Sequence, residues 1–125
     1  MWFGEEVQPL WQIVIEPGIR DAGFDPVRID KLAHNAKIDD QIIAAIRASR
    51  FVVADFTGQR GGVYYEAGFA EGLGIPVIRM VRRDQIDELH FDTRQYFHLA
   101  WDHDALGEAK RALSSHILAT IAKKA

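Results

Sequence analysis

Residues 63–78, VYYEAGFAEGLGIPVI, predict a helix that stops at Gly74 and leads into a buried strand. Glycine is common directly after a helix because it tolerates left-handed backbone angles. The apolar run that follows Pro76 is typical of a strand covered on both faces. Glu66 falls in the opening turn of this helix, directly after a glycine-rich loop. A carboxylate placed there is either a helix cap or a nucleophile.

Strands and helices alternate on both sides of this stretch. The apolar run Phe51–Ala54 predicts a buried strand, and an amphipathic helix over Ile38–Ser49 precedes it. Before them, a helix is expected over Glu5–Ala22, with Leu10, Val14 and Ile13 facing inward and a kink at Pro17. It is followed by an expected edge strand over Phe24–Ile29. Toward the end of the chain the expected elements are strands over Pro76–Val81 and Tyr96–Ala100, a loop over Arg82–Gln95 between them, and a last helix over Ala105–Lys123. This alternation predicts a parallel sheet with helices on both faces.

Composition predicts one domain, residues 1–125, with an apolar fraction of 48%. The net charge of -3 does not favour nucleic acid. The chain has no cysteine, which excludes disulfides and thiolate metal sites and suits a reducing, cytoplasmic setting. No apolar stretch approaches the ~20 residues of a membrane span, and no signal peptide is expected.

Two carboxylates fall where ligands bind in parallel sheets, beyond the carboxyl ends of the strands. Glu66 is either a first-turn acid, worth about 0.3–1 kcal/mol against the helix dipole, or a group that attacks or stabilises an anomeric carbon. Asp55 ends the buried strand and is either a turn acid or a second carboxylate that orients substrate or handles a proton. Glu71, later in the helix, is expected at the surface.

The loop between them, Thr57–Gly62, exposes glycine amides at a helix N-terminus, where an anion can bind. It matches neither the P-loop nor the dinucleotide fingerprint, and a flexible turn is the alternative. Arg60 could add a positive charge there. One of Tyr64 and Tyr65 should lie in the core, and the other could stack on a base.

The five histidines have no metal-ligand spacing, so no metal site is expected. Each is read as structural or exposed, although His34 could face the cleft.

Three segments together resemble the nucleoside 2-deoxyribosyltransferase-like superfamily and the related TIR-like nucleotide-binding proteins. They are Ala54–Gly58 (ADFTG), Val63–Ala70 (VYYEAGFA) and Leu73–Ile78 (LGIPVI). Weaker support comes from Phe3–Glu6, Asp39–Asp40 with Ile42–Ile43, and Phe91–Tyr96, so the resemblance covers nearly the whole chain.

The resemblance implies a flavodoxin-like, doubly wound parallel sheet in the order 2-1-3-4-5, with the first strand truncated because only Met1–Trp2 precede the residues that match Phe3–Gly4. It implies that Glu66 is the catalytic glutamate and that Asp55 is the acid ending the third strand. Where transferases usually carry an aspartate before the glutamate, this chain has Arg60. An arginine would suit a phosphorylated substrate.

The expected function is cleavage or transfer at the N-glycosidic bond of a nucleoside or nucleotide, without cofactor. Glu66 and Asp55 are the expected catalytic residues. The expected substrate-binding residues are Thr57, Gly58, Arg60, Gly62 and Tyr64. The alternative is a non-catalytic, TIR-like nucleotide-binding sensor or signalling module. The expected partner is a small molecule, with neither nucleic acid nor membrane, and relatives suggest a homo-oligomer.

Overall fold

The computed structural model of the protein describes residues 9–28, 40–58, 61–88 and 97–121. Helix α1 begins as a π-helix, Leu10–Ile15, and continues as an α-helix, Glu16–Asp21. The further helices described are α2 (Asp40–Ala48), α3 (Gly61–Gly72) and α4 (Leu106–Thr120), with a 3-10 segment at Arg83–Glu88. The strands are β1 (Val52–Asp55), β2 (Val77–Arg82) and β3 (His98–Trp101).

The sheet is parallel throughout, which confirms the α/β class. Its order is β1-β2-β3, with Asp55 beside Met80 and Arg79 beside His98. The expected five-stranded order 2-1-3-4-5 is therefore wrong for the described sheet. Phe24–Arg28 has no regular secondary structure and joins no strand, so the part of the predicted edge strand that is described is also wrong. Pro26, which has no N–H to donate, is one physical reason.

Two faces of the sheet carry separate cores. On one face α1 and α4 pack over β2 and β3 through residues such as Leu10, Val14, Met80 and Leu113. On the other face α2 and α3 cover β1, with the buried residues Ile42, Ile46, Val52, Ala54, Val63, Ala67 and Ala70. Helices on both faces explain why burial along β1 and β2 is nearly continuous rather than alternating.

Helix α1 changes from π to α geometry just before Pro17. Proline has no N–H and its ring crowds the carbonyl four residues earlier, so a wider turn before it relieves the clash. The wider turn also changes which residues face inward. Val14 and Ile15 are buried, whereas Ile13 is 47% exposed, so its predicted inward position is wrong.

Most other boundaries lie close to those predicted. Helix α3 already begins at Gly61, two residues before the expected start, and a 3-10 segment occupies part of the expected Arg82–Gln95 loop. Gly74 has a φ of 78°, as expected for a glycine that ends a helix. None of the helices in the described parts of the chain is long and apolar enough to cross a membrane.

Candidate functional site

A cavity of about 400 Å³ runs along the outer edge of β1. Its lining includes Phe51 and the β1 residues Val52–Ala54, and also the segment Phe24–Arg28. Helix α1 contributes Trp11, Ile15 and Ile19, and α2 contributes Ala45 and Ala48. The volume lies in the range of small-molecule sites, which are mostly apolar with a few polar groups.

Glu66 lines this cavity, beside Val63 and Ala54. It is half-buried and lies in the second turn of α3, so the prediction that it is a first-turn acid is wrong. Val63, three residues before it, and Ala67, directly after it, are buried in the same cluster as Ala54 of β1, which holds this part of α3 against the sheet. Glu66 is therefore placed against a concave surface rather than in open solvent. Glu71, on the same helix, does not line the cavity. It lies at the surface and accepts a hydrogen bond from Arg79 Nη2 at 2.6 Å.

The outer edge of β1 presents main-chain groups to the cavity. Val52 N–H donates to Pro76 O and Phe56 N–H donates to Met80 O, both in the direction of β2. Main-chain groups alternate sides along a strand, so those of Val53 and Asp55 face the other way. In the described sheet β1 pairs only with β2. The edge can therefore offer a donor and an acceptor to a bound molecule.

Four ionisable side chains line the cavity: Asp25, Arg28, Arg50 and Glu66. Arg28 is 8% exposed, and its guanidinium carbon lies 5.3 Å from the centroid of the Trp11 ring. Arg50 is exposed, and its guanidinium lies over Phe24, 5.6 Å from the ring centroid. The cavity thus combines apolar walls with charges of both signs.

Asp55 lies at the carboxyl end of β1 but does not line this cavity. It is fully buried, and its Oδ1 accepts hydrogen bonds from Trp101 Nε1 at 2.9 Å and Thr57 Oγ1 at 3.1 Å. Its Oδ2 has no hydrogen-bond partner within the described part of the chain. Burial raises the pKa of Asp55 to about 6, against the opposing effect of the Trp101 and Thr57 hydrogen bonds.

Thr57 and Gly58 form a turn that is tied to the end of β2. Thr57 Oγ1 accepts a hydrogen bond from Arg82 N at 2.8 Å, and Gly58 N donates to Gln85 Oε1 at 2.8 Å. Gly58 has a φ of 89°, which favours glycine at this position. Thr57 and Gly58, the described part of the predicted loop, thus both have hydrogen-bond partners elsewhere in the fold.

The remaining predicted binding residues lie on α3 or outside the described part of the chain. Gly62 lies in the first turn of α3. Tyr64 is half-buried and packs on Phe56 with ring centroids 4.6 Å apart, whereas Tyr65 is 61% exposed. Tyr64 is therefore the core residue of the pair. Arg60 and His34 lie outside the described residues.

The structure brings Glu66 to the cavity and places Asp55 in a separate buried network. Sequence reasoning missed two cavity residues, Trp11 and Arg28. Arg28 contacts Trp11 of α1 from a segment that was expected to be a strand. No sequence motif indicates this contact. Within the described residues, no group of three or more His, Asp or Glu side chains is arranged to hold a metal ion. Comparisons of the sequence with protein-family models, with curated proteins and with solved structures found no match.

Proposed function

We propose that this protein breaks or exchanges the N-glycosidic bond of a nucleoside or nucleotide, with Glu66 as the reacting carboxylate. The observation that supports this most is the position of Glu66 on the wall of a cavity of about 400 Å³. A pocket of this size with a few polar groups is the usual setting for a small-molecule reaction. The sequence resemblance around Glu66 supplies the reaction type.

The proposed chemistry needs one carboxylate oxygen near the anomeric carbon of the sugar. As the bond from that carbon to the base nitrogen breaks, the base leaves with the electron pair and the sugar carbon becomes positive. Glu66 either bonds to that carbon or stabilises its charge. A water molecule or a second base then bonds to the sugar carbon and releases Glu66 if it had bonded there. The incoming group loses a proton and the departing base gains one, so the products are the free base and either the free sugar or a new nucleoside. No step requires a metal or a cofactor.

The surroundings of Glu66 suit such a substrate. Apolar side chains, among them Ile15, Ile19 and Val63, can pack against a base. The outward main-chain N–H and C=O of Val53 can pair with the polar edge of that base, since a strand edge offers a donor and an acceptor side by side. Thr57, Gly58, Gly62 and Tyr64 are not among the residues that line this cavity, so the binding role predicted for them has no support from it and stays a prediction. Arg60 also remains a predicted binding residue.

Asp55 enters the proposal as a residue that positions the turn before α3. Its hydrogen bond with Thr57 fixes a hydroxyl that in turn holds Arg82 N. A raised pKa also suits a group that transfers protons near neutral pH. Because Asp55 does not line the cavity, a direct proton transfer to substrate would require an opening at the carboxyl end of β1.

A second candidate function is nucleotide binding without turnover, as in a TIR-like sensor. The separation of Asp55 from the Glu66 cavity favours it, because a glycosidase of the two-carboxylate kind has both groups at the bond that breaks. In that case a ligand raises the melting temperature and remains chemically unchanged.

Chromatographic detection of free base distinguishes the two candidate functions. The protein is incubated with the common nucleosides, their 5′-monophosphates and NAD, and the mixtures are analysed for free base. Release of base supports the proposed enzyme. Thermal stabilisation by a compound that is recovered intact supports the binding module and contradicts the enzyme.

A further inference from the structure

The hydrogen bonds of Asp55 converge on one of its two carboxyl oxygens. Oδ1 accepts from Trp101 Nε1 at 2.9 Å and from Thr57 Oγ1 at 3.1 Å, whereas the buried Oδ2 has no hydrogen-bond partner in the described part of the chain. A protonated carboxyl has one carbonyl oxygen that accepts two bonds, which is the pattern found here. A carboxylate needs donors at both oxygens, and a buried charge without them costs far more than an unpaired hydroxyl. The network therefore fits the protonated form of Asp55.

The two side chains that donate to Asp55 carry no charge, so neither neutralises a carboxylate. Burial is accordingly the main cause that raises the pKa of Asp55 to about 6. The hydrogen bonds from Trp101 and Thr57 lower this pKa, and the positive charge of the amino terminus and the main chain of Thr57 lower it to a smaller extent. These opposing effects do not outweigh burial.

Other charged and titratable side chains around this network have contacts of their own. They lie on β2, on β3, on the segments that follow these two strands, and on α3. They are Arg82 with Asp84 at 2.7 Å, Arg83 with Asp102 at 3.1 Å, His98 and Tyr64 on the Phe56 ring, and Glu66 at the cavity. Within the described residues, none of them is a hydrogen-bond partner of the Asp55 side chain.

The Thr57–Gly58 turn is the part of the network that can move without separating a strand or a helix. Trp101 is buried in the core that β3 shares with α1 and α4, so packing fixes its position. The turn, by contrast, is held by the hydroxyl of Thr57, which donates to Asp55 and accepts from Arg82 N, and by the bond from Gly58 N to Gln85 Oε1. Local openings of this kind cost less than unfolding of the whole domain.

We propose that Asp55 is a pH-dependent switch, which in its protonated form holds the Thr57–Gly58 turn closed and on loss of its proton lets the turn open. The proton passes to solvent, and water enters and supplies the donors that Oδ2 lacks. Trp101 stays on Oδ1, whereas Thr57 gives up its bonds to Asp55 and to Arg82 N. The opening lies at the entry to α3, which begins at Gly61 and carries Glu66.

Amide hydrogen exchange, followed by NMR in the intact protein, tests the switch. Arg82 N donates to Thr57 Oγ1, so its protection reports on the turn. After correction for the intrinsic exchange rate, this protection should fall about tenfold between pH 5 and pH 7.5 and change little above that. The factor follows from a pKa of about 6 in the closed protein and 3.8 for the exposed carboxyl. Protection of Arg82 N that does not change with pH in the wild-type protein would overturn the proposal.

Urea distinguishes opening of the turn from unfolding of the whole chain. Local opening exposes little surface, so low concentrations of urea should leave exchange at Arg82 N nearly unchanged, whereas exchange through global unfolding accelerates. Val52 N, which donates to Pro76 O at the other end of β1, is the reference amide and should stay more protected than Arg82 N. If Arg82 N exchanges with the urea dependence of global unfolding, Asp55 affects overall stability and is not a switch.

Asp55→Asn separates the effect of Asp55 from that of other titrating groups. Asparagine keeps an oxygen for Trp101 and Thr57 but does not ionise, so the protection of Arg82 N should no longer depend on pH. His98 packs on Phe56, the residue after Asp55, and histidine ordinarily changes charge between pH 5 and 8. A pH dependence that persists in Asp55→Asn would assign the effect to His98 or another group and overturn the proposal.

Asp84→Asn is the matched control, because Asp84 is an exposed carboxylate that pairs with the Arg82 side chain. The substitution removes a charge beside the same amide and leaves the Asp55 network in place. The fall in protection between pH 5 and pH 7.5 should remain within about twofold of that in wild type. Loss of the pH dependence in Asp84→Asn would show that the charge of Asp84, rather than Asp55, controls exchange at Arg82 N.

The switch and the proposed enzyme can fail separately. If the turn opens with pH but the protein releases no base, the enzyme is wrong and the switch stands. If base is released while the protection of Arg82 N does not change with pH, the switch is wrong and the enzyme stands.

Discussion

Trp101 donates its indole N–H to Asp55 Oδ1 across 2.9 Å, although the two residues lie 46 positions apart. The bond links the carboxyl ends of β1 and β3, which are not neighbours in the sheet. Thr57 donates to the same oxygen and holds Arg82 N. The turn that leads into α3, the helix that carries Glu66, is therefore fixed by a buried carboxylate.

The raised pKa of Asp55 predicts that the contribution of this residue to the free energy of unfolding falls as pH rises. Burial raises this pKa from 3.8 to about 6, so between these pH values the unfolded chain ionises while the folded protein stays protonated. The stabilisation that protonated Asp55 provides below pH 3.8 is thus lost progressively up to about pH 6. The difference corresponds to about 3 kcal/mol, since one pKa unit is worth about 1.4 kcal/mol.

Asp55→Asn should remove this dependence. Relative to wild type, the variant should gain about 2–3 kcal/mol of unfolding free energy on going from pH 4 to pH 7.5, because asparagine does not ionise. Urea denaturation at a series of pH values measures the difference. A stability difference that stays constant with pH would contradict the raised pKa.

Trp101→Phe tests the hydrogen bond directly. Removing a donor to a buried carboxylate should cost about 1.5–3 kcal/mol above pH 7, and less near pH 5, where Asp55 is protonated in the folded protein. The same substitution in an Asp55→Asn background is the control for lost packing. A double-mutant cycle gives the coupling energy, and a coupling near zero at both pH values would show that the bond contributes nothing.

A third prediction concerns Glu71, which pairs with the buried guanidinium of Arg79 at 2.6 Å. Glu71→Gln should lower the unfolding free energy by about 1–2 kcal/mol, because a charge-assisted bond becomes a weaker neutral one. The proposed base release per folded molecule should not change, since Glu71 does not line the cavity. Unchanged stability in urea would show that the ion pair is not a significant contact.

Two helical glycines should respond in opposite ways to alanine. A Cβ at Gly68 meets nothing within 4 Å, so Gly68→Ala should stabilise the protein by about 0.5–1 kcal/mol through helix propensity. A Cβ at Gly18 would lie 3.1 Å from Leu113 Cδ2, at the contact between α1 and α4. Gly18→Ala should therefore gain less or destabilise. Thermal melts compare the two, and an equal gain from both would contradict the close approach of α1 and α4.

Apolar patterning predicted much of the fold. The runs Phe51–Ala54 and Pro76–Val81 indicated buried parallel strands because helices cover both faces, and the structure confirms them within about one residue. The edge strand predicted over Phe24–Ile29 is wrong for its described part, Phe24–Arg28. Strand formation depends on a neighbouring strand, and local sequence does not reveal that neighbour. The inward face of α1 was partly wrong because Pro17 changes the helical period before it.

Sequence patterns could locate only those residues of the candidate site whose positions follow from the order of strands and helices. Asp55 could be found because it ends a strand, and Glu66 because it lies near the N-terminus of the helix that follows, although in its second turn rather than the predicted first. Their separation could not, because it depends on the indole of Trp101, which arrives from another strand. The same holds for Arg28 and Trp11, whose contact depends on how the segment Phe24–Arg28 folds back beside α1.

The action of Glu66 on a glycosidic bond can be tested with a matched pair of variants, Glu66→Gln and Glu71→Gln. Free base is quantified by chromatography over time for wild type, Glu66→Gln and Glu71→Gln at equal folded concentration, with nucleosides and 5′-monophosphates as substrates. We expect Glu66→Gln to lower the initial rate at least about a hundredfold, the scale typical of a reacting group, while Glu71→Gln stays within about twofold of wild type. A Glu66→Gln protein that releases base as fast as wild type, or a wild type that releases none, would contradict it.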